Sequence, residues 1–82
     1  MQLKDQIIKA MQETAAAMGK VINADLSDDT VLLESGLDSL GFAILVSRLE
    51  EELGYDPFVL MPEPYYPRTL GDFVVIYNRY RP

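Results

Sequence analysis

Apolar side chains recur at Leu3, Ile7, Ala10, Met11, Ala15 and Met18, with Thr14 in the same register, at the three- and four-residue steps of one helical face. This spacing predicts a first helix from Leu3 to about Met18, and Gly19 supplies its stop. Residues 20–38 break the period. A connection this long is expected to be packed by its own side chains, and Val21, Ile22, Leu26, Leu32, Leu33 and Leu37 are the residues that would pin it to a core. Within it, Ser27-Asp28-Asp29-Thr30 is expected to hold one helical turn capped by Ser27. A second helix is predicted from Ser39 to Leu53, because Gly36 permits a tight turn, Asp38 is a good N-cap and Gly54 ends the run. Pro57, Pro62, Pro64 and Pro67 then leave room for at most one short helical turn between Tyr55 and Pro67. The last helix starts at the capping residue Thr69, places Asp72 in its first turn, and continues through Leu70, Phe73, Val74, Ile76, Tyr77 and Tyr80. Two-residue alternation is weak throughout, so the pattern predicts a small all-α bundle.

On a wheel of 100° per residue the second helix separates into two apolar groups. Phe42, Leu45, Val46, Leu49 and Leu53 fall in one arc, the width expected of a core stripe. Leu40 and Ile44 fall on the opposite side with Ser47 and Glu51. Two large apolar residues on an outward face imply either a partner-binding patch or a lid contributed by the 20–38 loop, although single exposed apolar residues are common.

Composition narrows the function classes. With 82 residues the chain is read as one domain, 1–82, with no room for a second core. Its longest apolar runs are a few residues, too short to span a membrane. Met1-Gln-Leu-Lys-Asp leads straight into the amphipathic pattern without the apolar stretch of a signal peptide, and the expectation is a cytoplasmic monomer. There is no cysteine, which removes disulfides, thiolate nucleophiles and most structural zinc sites, and no histidine, the commonest general base. These absences argue against an enzyme. A net charge of −6 argues against nucleic acid as a partner. Five acids and no base lie between Ile22 and Asp38, which suits either a basic docking face or plain solubility. The acids of residues 25–36 do not follow calcium-loop spacing. Pro62-Glu63-Pro64-Tyr65-Tyr66-Pro67 reads as a rigid surface connection before it reads as a polyproline ligand. Arg79 and Arg81 are explained by the negative end of the last helix.

Ser39 stands at the first position of the second helix, after Asp38. An Asp-Ser pair following a glycine turn is how many helices begin, so the dipeptide alone carries little. The chemistry of the position adds to it: a phosphodiester on Ser39 would lie where free N–H groups and the helix dipole favour an anion, at the end of a long loop open to a modifying enzyme.

Gly36-Leu37-Asp38-Ser39-Leu40 resembles the attachment signature of acyl and peptidyl carrier proteins. Its wider setting is also similar: Leu-Leu-Glu-Ser-Gly-Leu-Asp-Ser-Leu, followed by Leu49-Glu50-Glu51-Glu52-Leu53-Gly54 and, near the end, Thr69-Leu70-Gly71-Asp72-Phe73. The resemblance covers essentially the whole chain, in the family's order and at its length. It implies an all-α, up-down four-helix bundle with three main helices and a short third one. It further implies a 4'-phosphopantetheine arm moved from coenzyme A onto Ser39 by a magnesium-dependent phosphopantetheinyl transferase, with Asp38 as cap and transferase contact. Cargo would be held on the arm as a thioester, loaded by an acyl- or aminoacyl-ligase and passed to an acyltransferase or synthase. These enzymes would dock on Leu37, Leu40, Ile44, Ser47 and Glu50, while Phe42, Leu45, Val46 and Leu49 are core residues with no assigned ligand role. Carriers of fatty acid synthesis usually have acids just after the modified serine; here those positions hold Gly41 and Ile44, and the acids begin at Glu50. That departure points to a specialised pathway. The competing expectation is an unmodified interaction domain of the same fold that binds a partner through Leu40 and Ile44.

Overall fold

The structure is a computed structural model, and it describes residues 2–22, 25–62 and 65–82. Among the described residues four helices follow one another: α1 (Leu3–Ala17), α2 (Ser39–Leu53), the single turn α3 (Pro57–Leu60) and α4 (Leu70–Arg79), with a 3₁₀ turn at Leu32–Glu34 before α2. The all-α bundle with a short third helix is what the pattern and the resemblance predict. Of the run from Pro62 to Pro67, Glu63 and Pro64 lie outside the described residues.

Each helix starts and stops for a local reason. Asp38 accepts the Gly41 N–H at 2.8 Å to open α2, and Gly54, at φ 85°, lets the chain leave it. Asp56 accepts the Phe58 N–H at 2.9 Å and Pro57 fills the first position of α3, where its missing N–H costs nothing. At α4, Thr69 Oγ1 accepts the Asp72 N–H at 3.1 Å while the Asp72 carboxylate accepts the Thr69 N–H at 3.3 Å, a reciprocal capping box.

The core is drawn from all three long helices and the loop. Ile7, Ala10, Met11 and Ala15 of α1 meet Leu45 and Leu49 of α2 and Leu70, Phe73 and Tyr77 of α4, with Leu32 and Leu37 added from the connection. Thr14, buried on α1, satisfies its hydroxyl by donating to the Ala10 carbonyl at 2.7 Å. Phe58 of α3 stacks on Phe73 with ring centres 6.0 Å apart and meets Phe42 edge-on at 6.4 Å, so a four-residue helix is held by aromatic packing rather than by its own length.

The long connection is fixed by backbone bonds to the far end of the chain. Leu32 N–H donates to Arg68 O at 2.9 Å, Leu70 N–H to Thr30 O at 2.8 Å and Gly71 N–H to Asp28 O at 2.9 Å. An ion pair of 2.8 Å between Lys4 and Asp28 ties the same point to α1. Three expectations for this segment are corrected. Ser27–Thr30 forms a hydrogen-bonded turn instead of a helical one, because the Ser27 N–H donates to Thr30 Oγ1 and the carbonyls of Asp28 and Thr30 accept from α4; the helical turn sits at Leu32–Glu34. Val21 and Leu33 do not pin the loop, being 89% and 57% exposed. Leu37 does pin it, and at 3% exposure it has no surface left for a partner.

Candidate functional site at the start of the second helix

The turn that delivers the chain to α2 brings Leu37 into the core and leaves Asp38, Ser39 and Leu40 on the surface. Ser39 is the first helical residue. The first-turn N–H groups of any helix have no intrahelical acceptor; here the Gly41 N–H is taken by Asp38, and those of Ser39 and Leu40 belong to that unpaired set. Lys20, from the loop's first residues, forms an ion pair and hydrogen bond with the other oxygen of the Asp38 carboxylate. The Lys20 hydrogen bond first, then the Gly41 N–H, hold the Asp38 carboxyl below its ordinary value of 3.8. With both oxygens engaged and the group ionised, Asp38 is a cap, not a free base for its neighbour.

Gly41 is buried directly beneath Ser39's turn. A Cβ there would meet Leu37 Cδ2 at 3.1 Å and Met18 Sδ at 3.2 Å, so the absent side chain is what lets the start of α2 seat against the end of α1. The position where an acid is usual in fatty-acid-type carriers is thus an internal contact in this fold.

Beside Ser39 opens a groove of about 290 Å³ lined by Leu32, Leu33, Phe42, Tyr66 and Pro67. Phe42 and Tyr66 also border a second groove of about 480 Å³ that runs between α2 and α3 past Val46, Phe58 and Met61. The two adjoin, and both are mainly apolar. Along α2, Leu40 (64% exposed), Ile44 (half-buried) and Ser47 (exposed) stand at i, i+4 and i+7 on one face, and Glu50 is exposed to one side of it. The described residues of the 20–38 loop leave Leu40 uncovered.

A model of the family described as "Phosphopantetheine attachment site" matches residues 10–59, more than half of the chain. The chain belongs to that family. No curated protein and no solved structure matches it. Members of this family are carriers that bind 4'-phosphopantetheine covalently, and the matched span runs from the middle of α1 to α3 with the start of α2 near its centre.

The residues present fit such a group. An attached phosphodiester needs a surface hydroxyl at a position tolerant of negative charge, and an arm needs space beyond it. Ser39 is exposed, its helix end favours an anion, Lys20 supplies a cation at the neighbouring Asp38, and the groove bordered by Phe42 and Tyr66 leads away from it. Sequence reasoning missed Lys20 and Tyr66. Lys20 carried a signal, being the only base between Lys9 and Arg48. Tyr66, 85% exposed and next to Pro67, belongs to a stretch whose sequence reads as a rigid connection; its nearness to Ser39 is a tertiary fact.

Proposed function

We propose that Ser39 is the attachment residue, and that residues 1–82 form a single carrier domain whose cargo is an acyl, aminoacyl or peptidyl group. The observation that carries this reading is Ser39 itself: an exposed hydroxyl on the first residue of α2, capped by Asp38 and opening onto the Phe42–Tyr66 groove. The arm supplies a terminal thiol on which cargo is held as a thioester.

The chain's own part in attachment is to present Ser39 Oγ. That oxygen forms the new bond to phosphorus as the pyrophosphate bond of coenzyme A breaks and the nucleotide leaves. The hydroxyl proton goes to a base of the phosphopantetheinyl transferase, since the chain has no histidine and the neighbouring carboxylate is already engaged. The domain is accordingly a carrier and not an enzyme, working in the cytoplasm as a monomer. A loading ligase and a downstream acyltransferase or synthase approach over Leu40, Ile44, Ser47 and Glu50. The apolar character of the first two, and Gly41 in place of an acid, support a specialised pathway over general fatty acid synthesis.

The test is intact mass after incubation with coenzyme A, magnesium and a broad-specificity transferase, beside Ser39→Ala. A gain of one phosphopantetheinyl group, absent in the variant, is the expected result. A folded chain that gains nothing from several transferases, or an unchanged gain in Ser39→Ala, rejects the assignment.

A further inference from the structure

We propose that Lys20 is the positioning residue for the arm's phosphodiester, its ammonium bridging the Asp38 carboxylate and the phosphate attached at Ser39. The inference rests on Ser39 being the attachment residue.

Three observations lead to it. Lys20 is the lone cation in the acidic part of the chain: five acids lie between Ile22 and Asp38, and there is no other base between Lys9 and Arg48. Its backbone is not free to wander, because its N–H donates to Ala15 O at 2.8 Å where Gly19, at φ 70°, turns the chain off α1. Its ammonium already reaches the residue next to Ser39, while its side chain is 37% exposed and faces the solvent from which an arm arrives.

Charge and hydrogen-bond capacity complete the argument. Attachment places a second permanent anion one residue from the Asp38 carboxylate. At the helix end the Gly41 N–H is spent on Asp38, which leaves the N–H groups of Ser39 and Leu40 to a phosphate but no full positive charge between the two anions. Two anions this close repel unless a cation lies between them. A lysine ammonium has three donors and no acceptor. One of these binds Asp38 Oδ2, and the remaining two are available to phosphate oxygens without breaking the existing contact. An exposed ion pair contributes little to folding, so the consequence of Lys20 is felt at the site and not in the stability of the bundle.

The arm is loaded onto the wild type, Lys20→Arg, Lys20→Met, Asp38→Asn and the Lys20→Met/Asp38→Asn double variant, and the ³¹P resonance of each loaded chain is followed with rising sodium chloride. The wild-type and Lys20→Arg resonances should shift with salt toward that of Lys20→Met, which should itself be displaced and insensitive to salt. The displacement caused by Lys20→Met should persist on the Asp38→Asn background, because the ammonium meets the phosphate directly. Equal resonances and salt responses in wild type and Lys20→Met overturn the proposal. So does a displacement that vanishes with Asp38→Asn, which would make Lys20 a support for the cap alone. A wild type that takes no arm, or a Ser39→Ala chain that still takes one, is seen earlier by intact mass and overturns both this inference and the attachment assignment.

Discussion

A Cβ placed on Gly36 would lie 2.4 Å from the carbonyl oxygen of Val21 and 2.9 Å from Ile22 Cα. The three nearest atoms are backbone, so no rotamer change relieves the contact, and Gly36 itself holds a φ of 122° that L-residues rarely adopt. The chain on either side of this crossing carries Lys20 and Asp38. Gly36→Ala should destabilise the fold by roughly 2–4 kcal/mol, adding backbone strain to overpacking. Urea denaturation measures the loss, and loading of Ser39 should fall with it. An alanine variant as stable as the wild type would mean that the 20–22 segment yields without cost.

Asp38 separates capping from charge. Asn caps a helix about as well as Asp, whereas Ala does not. At pH 7, Asp38→Ala should unfold at a lower temperature than the wild type, with Asp38→Asn close to it. The carboxyl's folded pKa lies below its ordinary 3.8, so its ionised contribution is fully present above that value and is lost as pH falls through the lower, folded one. The advantage of the wild type over Asp38→Asn should therefore disappear on acidification below about pH 4, which thermal melts at stepped pH will show.

The helices of this chain were legible because their ends are written in local chemistry. Asp38 and Gly54 bound α2, Thr69 with Asp72 opens α4, and Asp56-Pro57 starts the short α3. The connection was not legible in the same way. Its backbone bonds, from Leu32 N–H to Arg68 O and from Leu70 N–H to Thr30 O, join residues 36 and 40 positions apart, and no periodicity announces them. Without a period, apolar residues such as Val21 and Leu33 cannot be sorted from Leu32 and Leu37, and two of the six expected to pin the loop are exposed. At the site, the motif from Gly36 to Leu40 carries the resemblance to the family, while the placement of Lys20 on Asp38 and of Tyr66 beside Ser39 is tertiary and is not written in local sequence.

Tyr77 is fully buried, and its hydroxyl has no hydrogen-bond partner among the described residues, although its carbonyl accepts the Tyr55 hydroxyl at 2.6 Å. A buried donor left unpaired costs about 1–3 kcal/mol. Tyr77→Phe should remove that cost, stabilise the bundle by about 1 kcal/mol and raise its melting midpoint by roughly 4–8 °C.

The same residue sets the alkaline limit. Burial pushes the Tyr77 phenol well above its ordinary value of 10.0, so above pH 10 the unfolded chain ionises while the folded one does not. Stability is fully present below that pH and should decline above it by up to about 1.4 kcal/mol per pH unit for this group. The decline should be shallower in Tyr77→Phe, leaving a smaller part from Tyr55, whose phenol is also raised by burial. Denaturation at pH 9, 10 and 11 compares the two, and parallel curves would exclude Tyr77 as the cause.

Leu40 tests the docking face. It is 64% exposed, shares its face of α2 with Ile44 and Ser47, and lies one residue from Ser39, so an enzyme acting at Ser39 would pass over it. Leu40→Glu places an acid in the first turn of a helix, where the dipole favours it, and should leave folding intact or slightly improved. A leucine buried on binding contributes about 1.5–3 kcal/mol, of which a partial contact at an interface retains enough for roughly a tenfold loss. The transfer rate from a loading ligase should therefore fall by about that factor in Leu40→Glu while circular dichroism stays unchanged. Val75, 57% exposed on α4, provides the control: Val75→Glu adds the same charge to the chain away from α2. Equal losses in both variants would assign the effect to net charge. A loss confined to Leu40→Glu assigns it to the start of α2, where the apolar side chain and not an acid is what a partner reads.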